Sequence, residues 1–340
     1  MTPHDPASFP SDAAQAAADP ARPGRRIEPG AGNTGAPALS VRGLTVRYGD
    51  HLAVDGLDLE AWPGQVTGLL GPNGAGKSTT LSCLAGLLKP GSGTVELQGR
   101  PAQEAEARAC LGYVPQELAL YEDLSGRANV EFFAGLVGVP RRERRAACDR
   151  VLERVGLLDR AGDAVKGYSG GMKRRLNFAC GVVHRPAVLL LDEPTAGVDP
   201  HSRLRLFELV REERERGTCV IYTTHYMEEA EDLCDALTIV DHGRSIAAGT
   251  LESLRAQVGE RDVLRLEGSF GEAPLALPEG VELLGQDAEL VTLSMVDAGT
   301  RLSEIFSGLE SQGATVRSTT LNSASLESLF LSLTGRELRG

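Results

Sequence analysis

A chain of 340 residues, 41% of them hydrophobic, is long enough to bury the core of one large domain and a small one. Its formal net charge of −12 leaves no general basic face of the kind a phosphate backbone demands, which argues against a nucleic-acid partner. No apolar stretch approaches the roughly 18 to 20 residues that cross a bilayer as a helix, so the chain is not expected to form a membrane channel by itself.

Residues 1–36 are rich in Ala, Pro, Gly and Asp, with almost no large apolar side chains, and are expected to form a disordered N-terminal extension. The opening MTPHDPASFPSD has neither the charged start nor the apolar run of a secretion signal. A strand-rich pattern begins at Leu39, and the apolar run Val66 to Leu70 reads as a buried strand leading into GPNGAGKS, Gly71 to Ser78. A helix is predicted over Thr79 to Leu88. In that setting Gly71, Gly74 and Gly76 allow successive backbone N–H groups to turn inward around phosphate oxygens. The helix start, near Lys77, adds its positive dipole end at the same point. Lys77 reaches the β- and γ-phosphates as a point charge, and the Ser78 hydroxyl is placed to ligate Mg²⁺.

A helical insertion is predicted from about Leu124 to Ala164. Within it PRRERRAACDRVLERVGL reads as an amphipathic helix with Val151, Val155 and Leu158 on its apolar face, and Arg141 to Arg145 reads as a solvated outer face. YSGGM follows at Tyr168 to Met172. The apolar run Val188 to Leu191 ends in Asp192 and Glu193, adjacent carboxylates suited to holding Mg²⁺ and to orienting and deprotonating an attacking water, respectively. A further strand at Cys219 to Thr224 ends at His225.

Beyond residue 258 the pattern changes. Strands are predicted at Val263 to Leu266, Val281 to Leu284 and Leu290 to Ser294, then a helix from Thr300 to Gln312. A strand near Ala314 to Ser318 and a final amphipathic helix at Leu326 to Leu333 complete a small α+β domain without a catalytic cluster. Cys83, Cys110, Cys148, Cys180, Cys219 and Cys234 show no CxxC pair or metal-like spacing and read as free thiols of a reducing compartment, which points to the cytoplasm. His4, His51, His184, His201 and His242 form no ligand constellation, so the metal expected is Mg²⁺ arriving with nucleotide.

The ordered set GPNGAGKS, YSGGM and LLLDEPT resembles the ATP-binding subunit of an ATP-binding-cassette (ABC) transporter over residues from about 38 to 258. The resemblance implies an α/β fold: a P-loop ABC ATPase core at 37–258 with a helical subdomain at about 117–180, plus a C-terminal accessory α+β domain at 259–340. It implies ATP and Mg²⁺ as ligands. Tyr48 in RYGD corresponds to the aromatic that stacks on adenine. Gly71, Pro72, Asn73, Gly74, Ala75, Gly76, Lys77, Ser78 and Thr79 form the phosphate loop, and Ser78, Gln116 and Asp192 correspond to the Mg²⁺ site. Glu193 matches the general base, and His225 the switch histidine contacting the γ-phosphate. Gln116 in GYVPQE also corresponds to the glutamine that meets the membrane partner.

Ser169, Gly170 and Gly171 resemble the signature that binds the γ-phosphate of ATP held by the opposite subunit, and Asp199 the loop linking the two sites of a homodimer. Tyr168 stands where leucine is usual and Met172 where glutamine is usual, while the Ser-Gly-Gly core is intact. YSGGMKRRL, LGYVPQELALYEDLS, TTHYMEEAE and the closing SLESLFLSLTGREL are similar to the daunorubicin-resistance-like branch of type-2 exporters. That branch includes the ATPase subunits of drug, antibiotic and polysaccharide exporters, which act with a separately encoded integral membrane permease. The resemblance implies export of drugs, antibiotics or other small hydrophobic molecules first, with lipid-linked sugars open, and an ATPase held on the inner face of the membrane. The expected permease contact is Tyr121 to Phe133. A soluble ABC ATPase of ribosomes would usually carry two cassettes, and a chromosome-maintenance ATPase would separate loop from signature by a long coiled coil. Only about ninety residues lie between Lys77 and Ser169.

Overall fold

The computed structural model describes residues 35–258, 261–271, 275–322 and 326–334. The extension expected to be disordered lies almost entirely outside them. The first half runs β1 (Leu39–Tyr48), β2 (His51–Ala61), β3 (Val66–Leu70), α1 (Lys77–Leu84), β4 (Ser92–Leu97), β5 (Arg100–Pro101), α2 (Ala105–Ala109) and β6 (Leu111–Val114). It continues through α3 (Gly126–Leu136), α4 (Arg141–Arg154), α5 (Gly170–Val182), β7 (Val188–Asp192), α6 (Pro200–Glu215), β8 (Cys219–Thr224), α7 (Met227–Leu233), β9 (Ala236–Asp241), β10 (Arg244–Thr250) and α8 (Leu251–Val258). The last part holds β11 (Arg261–Ser269), β12 (Glu282–Gln286), β13 (Leu290–Val296), α9 (Ala298–Ser311), β14 (Thr315–Asn322) and α10 (Leu326–Thr334).

A six-stranded sheet of order β10-β9-β3-β8-β7-β6 is parallel from β9 to β6, and β10 is antiparallel at its edge. Every residue of β3, β7 and β8 is buried, because helices and a second sheet cover both faces. That is why these strands read as continuous apolar runs rather than alternating ones. One face carries α3 to α7, whose core includes Val130, Leu152, Phe178, Phe207 and Leu233. The other face carries α1 and the antiparallel sheet β2-β1-β4-β5 through Leu44, Leu57, Leu81 and Leu84.

The α/β fold expected from the sequence is the fold observed, with differences at helix ends that have local causes. The helix after the phosphate loop spans Lys77–Leu84, starting at Lys77 as expected but ending short of Leu88. Gly76, in the left-handed region at φ 97, caps it, and Gly86 at φ 69 turns the chain out. The amphipathic helix of the insertion stops at Arg154, before Gly156 at φ 65. Val155 stays buried as the C-cap, whereas Leu158 falls in a short 3-10 turn at 36% exposure instead of on the apolar face.

Residues 261–322 form the antiparallel sheet β12-β13-β11-β14 with α9 across it, and their own core contains Leu264, Leu293, Met295, Ile305 and Leu309. The α9 helix starts at Ala298, two residues before the expected Thr300. Helix α10 does not join that core. Its Leu326, Leu329 and Phe330 belong to the core of the six-stranded sheet, and Leu326 N donates to Glu231 Oε1 of α7 at 3.3 Å.

Candidate functional site

The C-terminal ends of the central parallel strands converge on one cluster, as expected for ligand sites in open α/β sheets. After β3, the loop from Gly71 to Gly76 folds back on itself, with Ala75 N bonding Pro72 O at 3.1 Å. A side chain at Gly76 would strike Ala53 O, and one at Gly71 would strike Val240 O. Close approach of β2 and β9 therefore requires glycine at both. Ala75 and Lys77 are buried, and Asn73, Gly74 and Ser78 are exposed along the rim, with Thr79 half-buried just behind them.

Lys77 is only 4% exposed. Its Nζ donates to Gly71 O at 2.8 Å and Pro72 O at 3.2 Å and lies 3.2 Å from Glu193 Oε1. At the end of β7, Asp192 Oδ1 accepts from Ser78 Oγ at 3.2 Å and from Thr223 Oγ1 at 2.8 Å. Burial pushes the Asp192 carboxyl up, and the Thr223 and Ser78 hydroxyls oppose that shift. Glu193 is 7% exposed and left-handed, at φ 41, with its N–H donated to Thr223 Oγ1 at 2.9 Å. Such backbone in a non-glycine residue is costly and collects at functional sites. Glu193 Oε2 is 3.0 Å from His225 Nδ1 and accepts from Gln116 Nε2 at 3.4 Å. Six of the residues singled out in the sequence, Lys77, Ser78, Gln116, Asp192, Glu193 and His225, are thus one connected cluster.

The Ser78 hydroxyl, the buried Asp192 carboxylate and the nearby Gln116 carboxamide bring oxygen-bearing groups to the cluster, a donor set that fits a hard cation such as Mg²⁺.

Ser169 and Asp199 belong to a second cluster. Ser169 caps α5, its Oγ accepting from Met172 N at 3.3 Å, and Asp199 caps α6, accepting from Ser202 N at 3.0 Å. Those Ser202 contacts hold the exposed Asp199 carboxyl below its usual range. Gly170 is exposed. Gly171 is buried against Ser202, whose Oγ would meet any added side chain. Among the described residues no hydrogen bond joins Ser169 to Lys77 or its partners. The link between clusters is Arg174 of α5, which donates to Gln116 O and, at 2.8 Å, to Ala196 O. Tyr48 stands apart from both clusters, half-exposed at the β1–β2 hairpin.

The structure also explains Tyr168. It is buried, its hydroxyl donates to Arg160 O at 2.7 Å, and its ring lies against Gly126, where any side chain would clash. Tyr121 and Phe132 are exposed by 50% and 41% and meet edge to face at 5.0 Å, with Leu124 and Leu136 exposed nearby. Asn129, fully buried, holds this loop by accepting from Tyr121 N at 2.8 Å and donating to Tyr121 O and Ser125 O, both at 3.0 Å.

Sequence reading missed two features. Phe330 and Thr334 of α10 line a cavity of about 240 Å³ together with Pro72, Asn73, Gly74 and Ala75 of the loop. Glu229 of α7 is buried beside the cluster; the run EEAED gives no sign of which acid turns inward. A larger cavity of about 780 Å³, between α4, the end of α5 and the end of α6, is lined by none of the candidate nucleotide-site residues. Among the described residues no helix is long and apolar enough to cross a membrane.

The sequence profile of the family described as "ABC transporter" matches residues 54–196. The chain is 41% identical over 307 residues, 89% of its own length and 97% of the relative's, to daunorubicin resistance ATP-binding protein DrrA3 of Streptomyces coeruleorubidus. It is 37% identical to linearmycin resistance ATP-binding protein LnrL of Bacillus subtilis, covering 88% of this chain and 99% of that one. It is 40% identical to Nod factor export ATP-binding protein I of Ralstonia nicotianae, covering 92% and 97%. Among solved structures, cbiO1 from Clostridium perfringens, part of the ABC transporter complex cbiONQ, superposes with a TM-score of 0.59 at 31% identity, covering 66% of this chain and 92% of that one.

Proposed function

Since this chain belongs to the ABC transporter family as an ATP-binding, ATP-hydrolysing subunit, we propose that its two clusters are the two halves of a nucleotide site completed between copies. In this reading the loop from Gly71 to Thr79 cradles the phosphates of ATP, Lys77 neutralises them and Tyr48 offers an exposed ring to adenine. Glu193 accepts the proton of the attacking water, and His225, in contact with the same carboxylate, faces the γ-phosphate. Ser78, Asp192 and Gln116 would hold Mg²⁺, which supplies charge neutralisation to the phosphate oxygens when bound.

The observation that carries the proposal is the convergence of Lys77, Gln116 and His225 on the two oxygens of Glu193. Ser169 and the exposed Gly170 N–H, at the positive end of α5, lie in a separate cluster, which supports their serving the ATP of a second, head-to-tail copy. A mixing experiment tests this. Lys77→Ala and Ser169→Arg chains are each expected to be inactive, and to regain hydrolysis when combined, because one intact site then forms from Lys77 of one copy and Ser169 of the other. No recovery would mean that each chain builds its site alone.

The relatives named for daunorubicin and linearmycin resistance support export of antibiotics or other small hydrophobic molecules as the process energised. The exposed Tyr121, Leu124 and Phe132 surface is proposed to receive the membrane permease, and the chain is proposed to sit on the cytoplasmic face of the membrane.

A further inference from the structure

Helix α7 opens with four carboxylates in six residues, Glu228, Glu229, Glu231 and Asp232, and of these Glu229 is the buried one, at 2% exposure. Its Oε2 accepts three hydrogen bonds, from Thr195 Oγ1 at 3.0 Å, Tyr222 Oη at 3.0 Å and Thr224 Oγ1 at 2.9 Å. Thr195 lies two residues after Glu193. Thr224 immediately precedes His225, and its hydroxyl also accepts Tyr226 N at 2.9 Å, fixing the turn on which the histidine stands. The second oxygen, Oε1, is buried without a hydrogen bond and faces Arg203 Nη1 at 3.9 Å. Arg203 belongs to the opening turn of α6, the helix capped by Asp199.

A carboxylate placed this deep is a poor means of stabilising a fold, since an apolar side chain of similar volume would avoid the desolvation. What it does supply is geometry. Three hydroxyls from two different strand ends are drawn to one oxygen, so the backbone carrying Glu193 and the backbone carrying His225 have a fixed separation. The remaining oxygen ties that unit to α6.

We infer that Glu229 is a positioning residue for ATP hydrolysis: it holds the Glu193 and His225 loops in one frame and joins that frame, through Arg203, to the helix capped by Asp199. The inference rests on the proposed roles of Glu193 and His225. In this role Glu229 acts through the two loops it joins, not as a catalytic group.

The test compares full-length wild type, Glu229→Gln, Glu229→Ala, Thr195→Val and Glu193→Gln for kcat, ATP affinity and melting temperature. It adds hydrogen exchange of residues 193–199 and 222–229 with and without ATP. Glu229→Gln keeps the shape but has one acceptor oxygen for two sides, so its NH2 must either face the three hydroxyls or replace the oxygen that faces Arg203. ATP affinity and melting temperature are expected to stay near wild type while kcat falls about 10- to 100-fold, the scale of a catalytic group displaced by an ångström. ATP is expected to protect the two segments together in wild type and to lose that joint protection in Glu229→Gln. Thr195→Val is expected to reproduce part of the kcat loss, and to add little when combined with Glu229→Gln. Wild-type kcat in Glu229→Gln, or a loss of kcat that only tracks loss of affinity and melting temperature, would overturn the positioning role. The Glu229→Ala chain shows what simple unfolding looks like in the same assays. If Glu193→Gln keeps wild-type turnover, the base assignment falls and this inference with it; if Glu193→Gln is dead and Glu229→Gln normal, only the positioning role falls.

Discussion

Lys77 Nζ and Glu193 Oε1 lie 3.2 Å apart, on side chains 4% and 8% exposed, so the cation assigned to phosphate and the carboxylate assigned to water are one buried ion pair. Each restrains the other. The lysine holds the carboxylate in place, and the left-handed backbone at Glu193 keeps it at the strand end beside His225. Glu193→Gln preserves size and most hydrogen bonds but cannot take a proton. Its kcat is expected to fall by about 10² to 10⁴ with ATP binding retained, read by steady-state hydrolysis beside equilibrium binding of a fluorescent ATP analogue. Weakened binding with normal turnover would remove Glu193 from the chemistry.

Asp192 and Ser78 share a 3.2 Å hydrogen bond and are the proposed cation ligands. Asp192→Asn leaves a neutral oxygen and removes a charge, so hydrolysis should require a much higher Mg²⁺ concentration for half-maximal rate. A magnesium titration of both proteins, with chelator-treated wild type as the zero, reads this directly. Identical titration curves would place the ion elsewhere.

Tyr168 and Gly126 form a matched pair, the phenol filling the space a side chain at 126 would need and donating to Arg160 O. Tyr168→Phe should cost about 0.5 to 1.5 kcal/mol for the lost hydrogen bond. Gly126→Ala should cost about 1 to 3 kcal/mol as overpacking. Denaturant melts measure both, and unchanged ATP affinity is expected in Tyr168→Phe.

Thiol chemistry offers an independent check on the core. Burial pushes Cys83 and Cys148 up to about 11 and Cys219 up to about 12, and raises Cys180 and Cys234 as well. Cys110 is also raised by burial but is partly accessible. At pH 8 iodoacetamide is therefore expected to label Cys110 slowly and the other five only after unfolding. Mass spectrometry showing rapid modification of Cys180 or Cys219 in the native chain would contradict the buried placement.

The parts of this molecule legible in its sequence are those where one physical demand dominates. Val66–Leu70 and Val188–Leu191 announced themselves because strands covered on both faces must be apolar throughout, and the glycines after Leu70 because backbone passes too close to Gly71 and Gly76 for a side chain. The end of α1 is not legible in the apolar pattern of Leu87 and Leu88, because Gly86, a single residue with left-handed backbone, overrides it. Glu229 was not legible at all, since four neighbouring acids carry the same chemistry and only tertiary contact with Thr195, Tyr222 and Thr224 selects one. Nor could periodicity reveal that α10 leaves its neighbours in 261–322 and sets Phe330 beside the phosphate loop.

If this ATPase drives a membrane exporter, affinity purification of tagged Glu193→Gln chain from mildly solubilised membranes in the presence of ATP captures the exporter's membrane component. Mass spectrometry of the co-purifying material is expected to show one integral membrane protein in stoichiometric amount, and to lose it when Tyr121 and Phe132 are both changed to serine. Recovery of ribosomes, of DNA or of no membrane protein would contradict that role and assign the ATPase to a soluble task.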